Sequence, residues 1–413
     1  MNIIFWITFL IFILFGLYSF NIKKDYFNIF IFVVIGVYLP LLLYMAKWSD
    51  LIYIEVSNKF YLIFIYLNIS LAISFLLIKH NKNDKSFKFC LKNRRKVGLV
   101  NIIYVLLYLL ENYIGSKTIF PTMNNIDIHT FSAPIISFIT KNLYIILVFN
   151  LIFYLYTKKK KYILYIITLV LIPIITRGAR MQVLIAISQV IVFLLYYIYS
   201  NREKYNFRIK KHNIILMCVL GIFLINFMVN YTDYRMNHFG KYDLKYENTI
   251  KYTGPKFIGK VLPVYYGYFP ISFNNLNINI SLNNIKHNYI GIYSFKSLNY
   301  GVLQLDNLLG IEPYKPENTA IVTSKSATVP TGFYDYYYDF GVFCFIPIIF
   351  SIIIYIFLYK KSKGSGNVYW KILYCYYMPL WIFISFQNTL YNTAIPAGIV
   401  LIFIFCKIFI KNI

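Results

Sequence analysis

The sequence predicts an all-α polytopic membrane protein with about 11 transmembrane helices and one large external (periplasmic) loop folded over the membrane core. Three observations carry this expectation. The 413 residues are 59% hydrophobic and only 14% charged, far from the balance of a soluble globular chain. Apolar stretches close to the roughly 20 residues that cross a bilayer recur along most of the chain. Lys and Arg are concentrated in every second connection between those stretches, the pattern produced when positive loops resist translocation.

In chain order the apolar stretches run 3–20, 27–46, 60–78, 97–115, 142–157, 162–176, 181–200, 213–232, 340–359, 372–390 and 393–410. The strongly basic connections are Lys23 and Lys24, KHNKNDKSFKFCLKNRRK (79–96), Lys158 to Lys161, NREKYNFRIKKH (201–212) and KKSKGSGNVYWK (360–371). With Lys407 and Lys411 they place 25 of the 41 Lys/Arg on one face, expected to be cytoplasmic; ten of the other 16 lie in a single long connection. The N-terminus is then outside and the C-terminus inside. The first apolar run has no basic n-region and no A-x-A-like site after it, so a retained helix is expected rather than a cleaved signal. These features divide the chain into an N-terminal bundle of about eight spans (1–232), an external loop (233–330) and about three closing spans (331–413).

A net charge of +26 invites a nucleic-acid reading, but a nucleic-acid surface would concentrate its charge in one domain with few apolar spans. Spread over short connections, the charge is a topology signal with some attraction to anionic lipid, and no nucleic-acid partner is expected. Of the five cysteines, Cys90 lies in a basic connection and Cys218, Cys344, Cys375 and Cys406 lie in spans, so the external loop holds no disulfide framework. The five histidines are scattered and no His/Cys/Asp cluster has ligand spacing, so neither a bound metal nor a cofactor is expected.

Between the sixth and seventh spans stands TRGAR (176–180), two arginines on the face that should be poor in them. The two spans share residues 162–200, too few to lift Arg177 and Arg180 clear of the interface. If the turn is helical, their i, i+3 spacing puts both guanidiniums on one face, and such a fork suits a diphosphate because each guanidinium can bind phosphate oxygens bidentately. The plainer reading is a pair of snorkelling arginines in contact with lipid phosphate. Glu111 stands alone among the apolar residues of the fourth span, as a polar packing contact or as an arginine's counter-ion.

The 98-residue connection 233–330 exceeds the length at which structureless loops become uncommon. It passes from YTDYRMNHFG (231–240) through VLPVYYGYFPISF (261–273) to the Asn-rich NNLNINISLNNIKHN (274–288), and such a segment can fold back as short helices over a membrane cavity. Tyr and Asn suit sugars, aromatic faces packing on pyranose rings and amides bonding hydroxyls in both senses; interfacial tyrosine and compositional drift are the alternative. FYDYYYDFGVF (333–343) then leads into the ninth span, with Asp335 and Asp339 at i, i+4 as helix-terminal acids, as a general base or as an arginine's anchor.

The order of these features resembles the oligosaccharide repeat-unit polymerases of bacterial surface polysaccharide assembly, the Wzy type. The matching residues are TRGAR (176–180), Arg235 of YTDYR and TVPTGFYDYYYDFG (328–341). The resemblance implies a metal-independent membrane glycosyltransferase of the bacterial inner membrane. A growing glycan leaves its polyprenyl diphosphate and joins the terminal sugar of a fresh polyprenyl-diphosphate-linked oligosaccharide, alongside a chain-length regulator and a flippase of the same pathway. Arg177, Arg180 and Arg235 would stabilise the departing diphosphate, Tyr334 and Tyr338 would contact glycan, and Asp339, Asp335, His238 and His287 are the candidate bases. A flippase or other transporter of the lipid-linked oligosaccharide is the alternative, although no internal repeat is visible.

Overall fold

The computed structural model describes residues 1–22, 25–78, 89–121, 134–201, 230, 246–256, 259–282, 285, 287, 289–299, 321–323 and 329–412. Arg235, His238 and the stretch 213–229 of the expected eighth span lie outside the described residues. The chain is mostly helical: α1 (Asn2–Leu17), α2 (Ile29–Met45, with a π turn at Val34–Tyr38), α3 (Asn58–Leu77), α4 (Lys96–Ser116), α5 (Pro134–Thr140), α6 (Leu143–Thr157), α7 (Lys161–Arg177), α8 (Arg180–Ser200), α9 (Val261–Tyr268), α10 (Pro270–Leu282), α11 (Gly332–Phe340), α12 (Phe345–Gly364), α13 (Val368–Tyr377) and α14 (Ile395–Phe409). Among the described residues five helices are long and apolar enough to cross a membrane: the first, running on to Asn21, and α3, α4, α8 and α12. Helices α2, α6 and α14 are apolar but shorter.

Burial sorts the helices into centre and rim. Every residue of α6 from Leu143 to Phe153 is buried, and α13 is buried along most of its length. By contrast α1, α4 and α7 carry rows of exposed Leu and Ile, as expected of helices with lipid on one side. Because lipid is as apolar as leucine, packing in such a bundle draws on polar contacts between helices. Asn101 and Asn150 exchange amide hydrogen bonds between α4 and α6 at 3.0 and 2.9 Å. Asn68 of α3 accepts from the Tyr38 hydroxyl and donates to Thr8 Oγ1 of α1 at 3.1 Å.

One expected span is interrupted, and the entry to another is broken. The helix expected over 372–390 stops at Tyr377, is followed by a single turn Leu380–Phe383, and continues as buried non-helical chain to Ala394. Pro379, which lacks an N–H, sits at the break. Buried non-helical backbone needs partners within the protein, and here it has them: Gly332 N donates to Ile384 O at 2.7 Å and Thr389 Oγ1 to Leu380 O at 2.7 Å. The broken entry separates FYDYYYDFG from the following span. Helix α11 ends at Gly341, whose φ of +55° starts a 3₁₀ turn before α12.

Within the long connection, α9 and α10 are packed into the bundle. All residues from Pro270 to Ile280 are buried, and the Phe273 ring lies 5.7 Å from Phe64 and 6.4 Å from Tyr44. The asparagines of this stretch bond backbone. Asn277 accepts from Ser57 N and donates to Glu55 O, both at 3.0 Å; Asn274 donates to Leu51 O at 3.0 Å. Asn279 accepts from Ile321 N at 2.8 Å, and Asn275 accepts from Thr323 N at 3.1 Å. The Asn-rich composition thus fastens α10 to the 51–57 and 321–323 segments.

The far end of the bundle has its own fastenings. Strand β1 (Phe89–Leu91) pairs antiparallel with β2 (Ile410–Asn412). Asp25 lies 3.6 Å from Lys363 Nζ and accepts from the Tyr359 hydroxyl at 2.6 Å, while the Lys363 ammonium stands over the rings of Tyr199, Tyr196 and Tyr359 at 5.1, 5.2 and 5.8 Å.

Candidate functional site

Helix α7 ends because Gly178 takes φ +61°: its N–H donates to Ile174 O, the αL type of stop, and that of Ala179 donates to Pro173 O. Helix α8 then begins at Arg180. The arginines therefore do not share a helix face as the i, i+3 spacing suggested; Arg177 is the last residue of one helix and Arg180 the first of the next.

Arg177 is buried. Its Nη2 lies 2.5 Å from Glu111 Oε2, its Nε donates to Asn112 Oδ1, and its guanidinium sits 4.3 Å from the centre of the Tyr108 ring. The solitary acid of α4 is the counter-ion of Arg177. Its carboxylate also accepts from Ser137 Oγ and, at 2.6 Å, from Thr140 Oγ1, both on α5. The Thr140 carbonyl accepts from Tyr104 and from Gln182 Nε2, each at 2.6 Å, which ties the first turn of α8 into the same network. Lys141 follows directly and lies within electrostatic reach of Glu111 and Arg177. Two cations, Lys141 and Arg177, thus neighbour one carboxylate, and Arg180 opens the helix that follows the Arg177 turn. Arg180 is half-buried and donates from Nη2 to the Tyr268 hydroxyl of α9 at 3.2 Å.

The remaining described candidates form a second group on α11. Asp335, in the first turn, pairs with Lys296 Nζ at 2.8 Å, not with an arginine. Asp339 is fully buried, and its Oδ2 accepts from Tyr293 N at 2.9 Å and Ser294 N at 2.5 Å. A carboxylate committed to two backbone N–H groups is a fixed anchor and a poor proton acceptor. His287 Nδ1 lies 3.0 Å from Tyr338 O; a carbonyl can only accept, so Nδ1 is the donor of this bond. The ring lies over Gly341, where an added Cβ would meet Nε2 at 2.8 Å in a φ region that side chains avoid. Tyr334 is fully buried and shows no ring face for a glycan to pack on, whereas Tyr338 is half-buried. Burial and the adjacent Asp339 carboxylate raise the Tyr338 phenol above its ordinary value.

The interrupted segment after α13 bridges the groups. The Phe386 ring lies 5.6 Å from Tyr268, the partner of Arg180, and Asn388 Nδ2 donates to Ser294 O at 3.1 Å beside Asp339. Asn388 and Phe386 carried no signal in the sequence, since amides and aromatics abound throughout it. Among the described residues no group of three His, Cys, Asp or Glu could hold a metal ion. Comparison with family models, with curated proteins and with solved structures found no match.

Proposed function

We propose that the chain is a membrane glycosyltransferase that polymerises polyprenyl-diphosphate-linked oligosaccharide units at the external membrane face. One observation carries this reading: Arg177, buried against Glu111, and half-buried Arg180, bonded to the Tyr268 hydroxyl of α9, stand on either side of the Gly178–Ala179 turn, with Lys141 beside the Glu111–Arg177 pair. A departing diphosphate needs cations held before its charge develops. Arg180, beside the α9 hydroxyl of Tyr268, is the ligand; Arg177, neutralised by Glu111, positions the α7–α8 turn. His287 Nε2 is the base that takes the acceptor hydroxyl proton. The eleven-span topology, with this end outside, belongs to the same proposal. Segments expected on one face do meet each other: 89–91 with 410–412, Asp25 with Lys363, and Ser49 with Tyr252.

The transporter reading draws on a different observation. Buried ion pairs stand at both ends of α8, Glu111–Arg177 near its start and Asp25–Lys363 against Tyr196 and Tyr199 near its end, about 30 Å apart at 1.5 Å per residue. Reconstitution in proteoliposomes with a synthetic diphosphate-linked repeat unit separates the two. A ladder of lengthened glycan supports the polymerase. Movement of a fluorescent unit across the bilayer without lengthening supports the transporter, and neither result from folded protein overturns both.

A further inference from the structure

At the Lys161 end of the bundle two basic runs far apart in sequence meet. Lys92, Arg94, Arg95 and Lys96 lead into α4, and Lys158, Lys159, Lys160 and Lys161 join α6 to α7; all eight are exposed. The Arg94 guanidinium stands 5.0 Å over the Tyr156 ring, and a Cβ at Gly98 would lie 3.5 Å from the Tyr165 hydroxyl, so the first turns of α4 and α7 are side by side. No Asp or Glu occurs in 89–110 or in 151–176. Below each run begins an exposed apolar stripe at helical spacing: Leu99, Ile103, Leu106 and Leu110 on α4, and Leu164, Ile167, Leu171 and Ile175 on α7.

We infer that this paired surface is a binding site for an anionic phospholipid, its phosphate held between the two cation runs and its acyl chains laid along the two stripes. Charge complementarity and the position of the stripes directly under the cations name the occupant. A soluble polyanion would use the cations and leave the stripes unused. A cation run that only directs membrane insertion would show no preference among lipids once the protein is folded. The inference needs the bundle to be membrane-embedded, and it does not depend on the polymerase reading or on which end is cytoplasmic.

Native mass spectrometry of the full chain in detergent tests it, with cardiolipin and phosphatidylcholine as probes. Cardiolipin should be retained at least tenfold better than phosphatidylcholine. Arg95→Gln with Lys160→Gln should lower cardiolipin retention by about tenfold or more, given the usual contribution of each basic residue near an anionic surface. Lys360→Gln with Lys361→Gln, which removes the same charge at the same end of the bundle, should leave it unchanged. Equal loss in both variants would overturn the site in favour of diffuse charge. Full competition by inorganic pyrophosphate or by a short oligonucleotide would overturn the lipid as occupant. A thermal shift on each purified variant checks that it is folded.

Discussion

Arg177 and Arg180 stand three residues apart and have different neighbours, so their substitutions should separate. Arg177 needs a planar fork to reach Glu111 and Asn112 at once while stacking on Tyr108, and lysine offers a single point charge. Arg177→Lys should therefore lower the amount of folded protein in the membrane, measured by detergent-stable yield. Arg180 is half-exposed and its variants should fold. If it stabilises the diphosphate, Arg180→Ala should cost chain extension about 2–4 kcal/mol in the transition state at normal protein level, with Arg180→Lys intermediate. Wild-type glycan length from Arg180→Ala would remove it from the site. Glu111 gives a cleaner energetic test. Glu111→Gln leaves the Arg177 charge buried without its counter-ion, an imbalance that typically costs about 3–5 kcal/mol. Adding Arg177→Met should restore much of the lost thermal stability without restoring activity. A neutral Glu111→Gln would contradict the pairing. Sequence alone singles out Glu111, because a lone acid among apolar residues is costly. It does not supply the partner, which is 66 positions away, nor the φ of Gly178 that decides whether the two arginines share a helix face.

At the scale of elements, the buried amides of α10 and the interruption after α13 do related work, satisfying backbone where no helix does. Asn277→Leu keeps the apolar packing but leaves Ser57 N and Glu55 O without their partner, at about 1–3 kcal/mol per unsatisfied group. The expected result is a lowered Tm, whereas the same change at exposed Asn248 should leave Tm unmoved. Hydropathy located the apolar segments well, and α3, α4, α7 and α8 begin and end within a few residues of their expected limits. It failed at 372–390 because composition there is as apolar as in a regular span, and only side chains from remote segments, such as Asn388, reveal that the backbone is bonded elsewhere. Asp335 and Asp339 lie on one short helix, as their i, i+4 spacing allows. Their partners, Lys296 and the Tyr293–Ser294 turn, belong to a loop whose path no local pattern encodes.

For the whole molecule, the sidedness of the bundle is open to a direct check. In a Cys90→Ser background, Thr253→Cys should react with a membrane-impermeant maleimide added to intact spheroplasts and Lys160→Cys should not, both positions being exposed. Reversed labelling would move the Arg180 end to the cytoplasm and remove the proposed external reaction. The β1–β2 pair bears on how the chain is made. Asn93 beside β1 donates to Ile408 beside β2 across 315 residues, and Asp25 finds Tyr359 across 334. At the usual pace of translation, about 5–20 residues per second, each early half waits about a quarter of a minute to a minute for its mate. The early helices are thus inserted before Tyr359, Lys363 and β2 have been made, and these two fastenings close only after that. A nascent chain stalled before Ile408 should be the species that a quality-control protease takes, and the finished chain the one it leaves.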